Sequence, residues 1–315
     1  RPYFTYCALN GHHTPELKTI LNFSQSSCSQ KVRILLAEKN LDYTSHEINL
    51  KNGDQTSPWY LGINSRGVVP VLIHDGAIHV ESNDLLEYID EQFPSEGFSW
   101  IPTDTASLAT VDQLLALEDE LHIHLRVITM GFLLPRVVAR KSEKELEAYA
   151  NNGVDDPYRS KQIEWWRNFG RQGITDEQAM EAVSAFHRAF SKLDELVSDQ
   201  VWLLGDKPSV LDIAWFITLH RADLAGYPLI EHPNLHRVYG QMCSRPAFQQ
   251  ELKKGPAIVH FIGPLYRFIR KTRGTTLRYY FDRWKKSTTR SSNGSDAASD
   301  AGAANNLVGS PRNSL

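Results

Sequence analysis

The chain has 315 residues and a formal net charge of −3, a length that fits about two domains and a charge that gives no reason to expect nucleic acid as a partner. No apolar run approaches the roughly 18 residues of a membrane span. The three cysteines, Cys7, Cys28 and Cys243, match neither a zinc spacing nor a disulfide framework, so a reducing, cytoplasmic setting is expected.

Residues 1–16 show no period and read as an irregular arm. His12 and His13 are adjacent and point apart on any regular backbone, which argues against a metal site. Leu17–Leu21 is a strand candidate that runs into a polar turn, Asn22–Arg33, rich in serine around Cys28. A helix of good formers leaves the turn over Val32–Lys39. Leu41–Ile48 alternates as a second strand, Lys51–Ser57 is a loop, and Pro58–Leu61 is one helical turn. Pro70 stands before the apolar strand Val71–Ile73, where only a strand's first residue tolerates proline. Asp75–Gly76 signals a hairpin to Ile78–Val80. Glu81–Ser82 starts a helix that Pro94 closes. The order β-α-β-turn-β-β-α predicts a small mixed sheet over residues 17–94.

Residues 95–104 have linker composition, and beyond them the strand signal vanishes. Ser107–Met130 is apolar at helical spacing, and Pro135 interrupts it. Ser142–Ala150 is a charged helix. A further helix follows Asp155–Asp156–Pro157 and carries Tyr158, Ile163, Trp165, Trp166 and Phe169. Thr175 and Gln178 have capping-box spacing, as do Ser209 and Asp212, and each pair opens an amphipathic or apolar helix. Asn234–Cys243 and Pro246–Leu252 complete an all-α domain over 105–260. Residues 261–286 interleave aromatics with basic side chains, and 287–315 hold too little apolar surface to fold, so disorder is expected there.

The Ser-rich turn has two readings. Serines before a helix cap it. The same geometry also places hydroxyls and a thiol beside the open N–H groups of a first turn, where an anion such as a thiolate is stabilised.

Taken together, residues 17–252 resemble the glutathione transferase superfamily. Ser26–Ser27–Cys28 before Lys31–Val32–Arg33 is similar to the zeta-class Ser-Ser-Cys turn. Val69–Pro70 is similar to the family's cis-proline strand start, Glu81–Ser82 to its glutamyl-binding pair, and Ser209–Asp212 to its buried capping box. The resemblance implies a thioredoxin-like domain followed by an all-helical one, with glutathione as co-substrate and no metal. It implies that Val69, at the bond to Pro70, pairs its backbone with the peptide, and that Glu81 and Ser82 hold the γ-glutamyl end. Ser26 is then the first choice for the hydroxyl facing the glutathione sulfur, with Ser27 second. Cys28 is an alternative, since tetrachlorohydroquinone dehalogenases carry a cysteine here that forms a mixed disulfide.

The second domain departs from zeta by an insertion from about Arg136 to Arg171. Its run Lys161–Gly170 looks like bacterial β-etherases that cleave lignin-type aryl ethers, and that alignment puts the serine nearer Cys28–Ser29. The turn is also similar to the ganglioside-induced differentiation-associated proteins, which have weak or absent transferase activity. The expected function is attack of the glutathione thiolate on an electrophile, expected to be aromatic. The rivals are a Cys-dependent thiol transferase or dehalogenase, a zeta-like isomerase, and a non-catalytic adaptor. Candidate pocket residues are His122, Arg126, Tyr158, Trp165, Trp166 and Phe169, against the alternative that helically spaced aromatics are core. A homodimer is the family expectation. Residues 261–286 are expected to pack their aromatics on the helical domain, with contact to an anionic membrane surface as the less favoured alternative.

Overall fold

The computed structural model describes residues 18–152, 157–254 and 257–289. The N-terminal arm with Cys7 and His12–His13, the Asp155–Asp156 helix start and the tail beyond residue 289 lie outside the described residues.

Four short strands form one sheet in the order β2-β1-β3-β4: β1 (Thr19–Asn22), β2 (Thr44–Glu47), β3 (Val71–His74) and β4 (Ala77–His79). β1 and β2 are parallel, while β3 is antiparallel to both β1 and β4. This is the mixed sheet read from the β-α-β and hairpin pattern. α1 (Ser27–Glu38) crosses between β1 and β2, α2 (Pro58–Leu61) is the single turn after a 3₁₀ turn, and α3 (Ser82–Gln92) follows the hairpin. The antiparallel pairing has a consequence for the site. Leu21 lies opposite Val71, and Leu72 opposite His79. The exit of β1, the entry to β3 and the exit of β4 therefore meet at one end of the sheet, beside the three motifs.

The rest is helical: α4 (Thr105–Glu120), α5 (His122–Ile128), α6 (Arg136–Ala139), α7 (Glu143–Asn151), α8 (Pro157–Gln172), α9 (Asp176–Leu196), α10 (Val210–Leu224), α11 (Pro233–Ser244), α12 (Pro246–Lys253) and α13 (Ala257–Thr272), then a last helix over 277–289. The stretch Ser107–Met130 is not one helix. It divides near Leu121, and a π-helical turn, Thr129–Leu133, follows α5.

α10 is buried nearly all round, from Val210 through Leu219. Its capping box holds: the Ser209 N–H donates to Asp212 Oδ2 at 2.7 Å, and the Leu203 N–H donates to Asp212 Oδ1 at 3.0 Å. One apolar core joins α10, α9, α4 and α5 to α1 and α3 of the sheet region. The 95–104 segment is less free than its composition implies. Trp100 is buried, its N–H donates to Asp90, and its carbonyl accepts from Val210 at 2.8 Å.

The insertion docks on the sheet region. Tyr149 donates to the Arg66 carbonyl at 2.9 Å and Asn152 to the Thr56 carbonyl at 2.8 Å. Leu61, Leu146, Tyr149 and Ile163 form a small core of their own there. Gly67 sits under this contact at φ +63, and a Cβ would lie 3.0 Å from the Gln55 carbonyl.

Candidate active site

The turn between β1 and α1 is held from two sides by arginines. Arg33, buried in α1, donates to the Asn22 side chain at 2.6 Å and to the Ser24 carbonyl at 2.8 Å, and it forks onto the buried carboxylate of Glu251 in α12. Arg221, near the end of α10, donates to the Gln25 carbonyl at 2.6 Å, to Gln30 Oε1 at 3.1 Å and to Thr129 Oγ1 at 3.2 Å. Burial pushes the Arg221 guanidinium down to about 10, against the opposing pull of the nearby Cys28 sulfur, so it stays charged at neutral pH.

On this frame Ser26 is the N-cap of α1, and its Oγ accepts from the Ser29 N–H at 3.3 Å. A capping serine uses a lone pair and keeps its own O–H to donate. Ser27 is the first helical residue. Ser26, Ser27 and Cys28 are all partly exposed. The turn is thus both of the things its sequence allows: a cap, and a set of hydroxyl, thiol and helix N–H groups backed by a cation.

Ser29 departs from the expectation. It is fully buried, and its Oγ accepts from the Phe23 N–H at 3.4 Å. The side chain is enclosed because α1 is buried continuously from Ser29 through Leu36, so that position 29 is where the helix enters the core.

Val69–Pro70 is cis and stands beside this turn, since Val69 belongs to the same small cluster as Leu21 and Phe23. Glu81 has φ +66, a left-handed value that a side-chain-bearing residue rarely adopts. It precedes Ser82, the buried first residue of α3. The Glu81 carboxylate is ion-paired with Arg66, and both remain 43% exposed, so a ligand ammonium can still reach it.

One turn below Cys28, Lys31 is fully buried and salt-bridged to the fully buried Glu118 of α4. Asn83 Oδ1 accepts from Lys31 at 3.3 Å, Thr218 donates to Glu118 at 3.1 Å, and His122 Nε2 lies 3.3 Å from Glu118. Burial raises the Glu118 pKa, but Lys31 and His122 outweigh it and hold the carboxyl at about 2. Glu118, Asp119 and His122 bring ligand-type atoms within 4.8 Å. The cation in that cluster is the Lys31 ammonium. His122 is therefore a member of an inter-domain ionic knot.

The other pocket candidates separate. Arg126 donates to Gln162 and lies 5.0 Å over the Trp165 ring. Trp165 stacks on Phe169 at 5.4 Å between centroids. Phe169 is buried, and Trp166 packs on the insertion's own core beneath Lys141. Phe169 also lines a cleft with Phe132, Gly173 and Tyr266, and the partly buried Trp166 lines another with Lys141, Leu146 and Arg167. Tyr158 lies against Arg66, 4.6 Å below its guanidinium, which puts it next to the Glu81 pair. Arg221 is the residue the sequence reading missed: an arginine inside the most apolar helix, whose partners are between about 90 and 200 positions away, carries no local signal.

Residues 25–92 match the model of the glutathione S-transferase N-terminal domain, and residues 152–241 match that of the C-terminal domain. Among curated proteins, the chain is 27% identical over 243 residues to Protein LigF of Sphingobium sp. strain SYK-6, covering 75% of this chain and 93% of that one. It is 25% identical over 235 residues to maleylacetoacetate isomerase of Pseudomonas aeruginosa (73% and 93% covered). It is 24% identical over 275 residues to human ganglioside-induced differentiation-associated protein 1-like 1 (76% and 75% covered). The crystal structure of the beta-etherase LigF superposes with a TM-score of 0.64 at 26% identity, covering 76% of this chain and 99% of that one.

Proposed function

Because the chain belongs to the glutathione S-transferase superfamily, whose co-substrate is glutathione, we propose that it activates the glutathione thiol at Ser26 for attack on an aromatic electrophile. The observation that carries this reading is the Ser26 hydroxyl: it is fixed as a cap acceptor and left with a proton to donate, at the end of the sheet where β1 exits, β3 enters and β4 exits. In this reading the peptide lies antiparallel to the Val69 backbone. Its γ-glutamyl carboxylate sits at Ser82 and the α3 N-terminus, and its ammonium is shared by Glu81.

The sulfur then lies between the Ser26 O–H and the first turn of α1. A donated hydrogen bond and the helix dipole both favour the thiolate. The Arg221 charge adds to them from behind the turn.

The finer reading is cleavage of a β-aryl ether. The thiolate attacks the carbon that bears the aryloxy group, the C–S bond forms as the C–O bond breaks, and the aryloxide leaves and takes a proton from water. Support comes from the likeness to LigF in sequence and in structure. Trp165 and Arg126 are the aromatic and cationic side chains that this reading assigns to the electrophile side.

A second reading rests on Cys28. Its partly exposed thiol beside Arg221 suits attack on a mixed glutathione disulfide, in which the Cys28 sulfur bonds to the glutathione sulfur as the substrate S–S bond breaks and the other thiol leaves. A turnover screen separates the two. It uses a β-aryl ether, a haloaromatic and a mixed glutathione disulfide, with Ser26→Ala and Cys28→Ala side by side. Loss of ether and haloaromatic turnover in Ser26→Ala alone supports the serine reading; loss in Cys28→Ala alone supports the thiol reading.

A further inference from the structure

Helix α13 is amphipathic, and its apolar side faces outward. Inward, Tyr266 donates to the Gly131 carbonyl at 3.1 Å, Arg270 Nη1 donates to the same carbonyl at 3.1 Å, and the Arg270 guanidinium lies 4.3 Å over the Phe132 ring. The helix is therefore fastened to the π-helical turn by its polar side. Outward stand Phe261, Leu265 and Phe268, exposed at 75%, 60% and 63%, with Ile269 at 36% beside them. Spacings of four, three and one place these four on a single stripe. The other large apolar side chains exposed among the described residues, such as Trp59, Ile123, Val137 and Ile230, come from separate elements. Single exposed apolar residues need no partner, whereas a contiguous stripe marks a contact surface.

The sequence reading expected this segment to pack its aromatics inward. That holds for the last helix, where Leu277 and Phe281 are buried and Tyr280 meets Phe132 edge-on at 5.6 Å between centroids. It fails for α13, because Gly131 and Phe132 offer that helix a carbonyl and a ring face, which recruit its arginine and tyrosine. The phenylalanines are left on the other side.

The surroundings of the stripe specify its partner. Residues 261–286 contain eight Arg or Lys against one acid, Asp282, in a chain whose net charge is −3. Arg278, Arg283 and Lys285 are used in ion pairs with Asp282, Asp176 and Glu231. Lys271 and Arg273 are exposed at the end of the stripe, outside any ion pair among the described residues. A row of Phe and Leu ending in unpaired cations is the composition of helices that lie in the headgroup zone of an anionic bilayer. A two-fold contact between copies through this face would set like cations against one another. Among the described residues no helix is long and apolar enough to cross a membrane.

We propose that α13 docks the protein on an anionic lipid surface, with Phe261, Leu265 and Phe268 entering the headgroup boundary and Lys271 and Arg273 meeting lipid phosphates. The test is co-sedimentation of the full chain with phosphatidylcholine vesicles, with and without about one third phosphatidylserine. Two variants are compared with it: Phe261→Ser/Leu265→Ser/Phe268→Ser and Lys271→Glu/Arg273→Glu. Binding is expected on the anionic vesicles only, weakened roughly tenfold or more by either variant and by added salt, with far-ultraviolet circular dichroism and glutathione conjugation unchanged. Absence of binding by the unaltered chain overturns the proposal, as does equal binding by the triple-serine variant. So does a triple-serine variant that turns a dimer into a monomer while its vesicle binding stays the same, which would give the stripe to a second copy.

Discussion

Arg221 donates to the Gln25 carbonyl at 2.6 Å, so the residue preceding Ser26 is fixed by a helix of the opposite domain. The same guanidinium reaches Gln30 and Thr129. It therefore joins the α1 turn, α10 and the π-helical turn at one point. A cation in this place both shapes the turn and stabilises negative charge within it.

Replacing Arg221 should lower catalysis by altering geometry and charge together. Hydrogen bonds to charged groups contribute about 1.5–3 kcal/mol each, so Arg221→Met should lower kcat/KM roughly ten- to hundredfold. A purely structural role would leave the pH profile where it is. Arg221→Met is expected to move the rise of kcat/KM to higher pH, and Arg221→Lys to restore part of that displacement.

Glu81 and Ser82 should act on binding. In the proposed reading, Ser82→Ala removes a donor to the γ-glutamyl carboxylate, and Glu81→Gln removes the charge that would meet the ammonium. Each should raise the KM for glutathione about tenfold, equivalent to about 1.4 kcal/mol, with kcat little changed. Steady-state kinetics at saturating electrophile checks the split. A fall in kcat at constant KM would contradict the assignment.

The Lys31–Glu118 pair makes stability depend on pH in a defined direction. The folded carboxyl titrates at about 2 against its ordinary 4.5. The stabilisation is thus present above about pH 4.5 and is lost as pH falls toward 2, to a total of about 3 kcal/mol. Urea unfolding across this range should show the loss in the unaltered chain and a flatter acid limb in Glu118→Gln. That variant should also be about 3–5 kcal/mol less stable at neutral pH, because it strands the buried Lys31 ammonium. Lys31→Met/Glu118→Gln should recover part of the difference.

The sheet and the three motifs were legible because their signals are local. Pro70 before an apolar run, Asp75–Gly76 between two strands, and Ser26 or Ser209 ahead of a helix each report the backbone within a few residues. What decides the sulfur's surroundings is not local. Ser29 and Ser26 look alike in sequence, but α1 is buried from Ser29 onward, which makes Ser29 a buried acceptor and leaves Ser26 a partly exposed cap. Trp165, Trp166 and Phe169 have a spacing that serves a core as well as a pocket, and Trp166 does both: it packs against the Leu146 and Tyr149 cluster and lines a cleft with Lys141 and Arg167. In α13 the basic residues obscured a regular apolar stripe, because the usual rule that the apolar side faces inward is reversed there.

The central claim is that the Ser26 hydroxyl stabilises the thiolate of bound glutathione. The direct measurement is ultraviolet difference titration of the thiolate in the complex, for the unaltered chain and for Ser26→Ala and Cys28→Ala. Free cysteine thiols titrate near about 8.5. The bound thiol is expected to titrate at least about one unit lower in the unaltered chain and in Cys28→Ala, and to return toward the free value in Ser26→Ala. A Ser26→Ala complex whose thiol still titrates as in the unaltered chain would contradict the account.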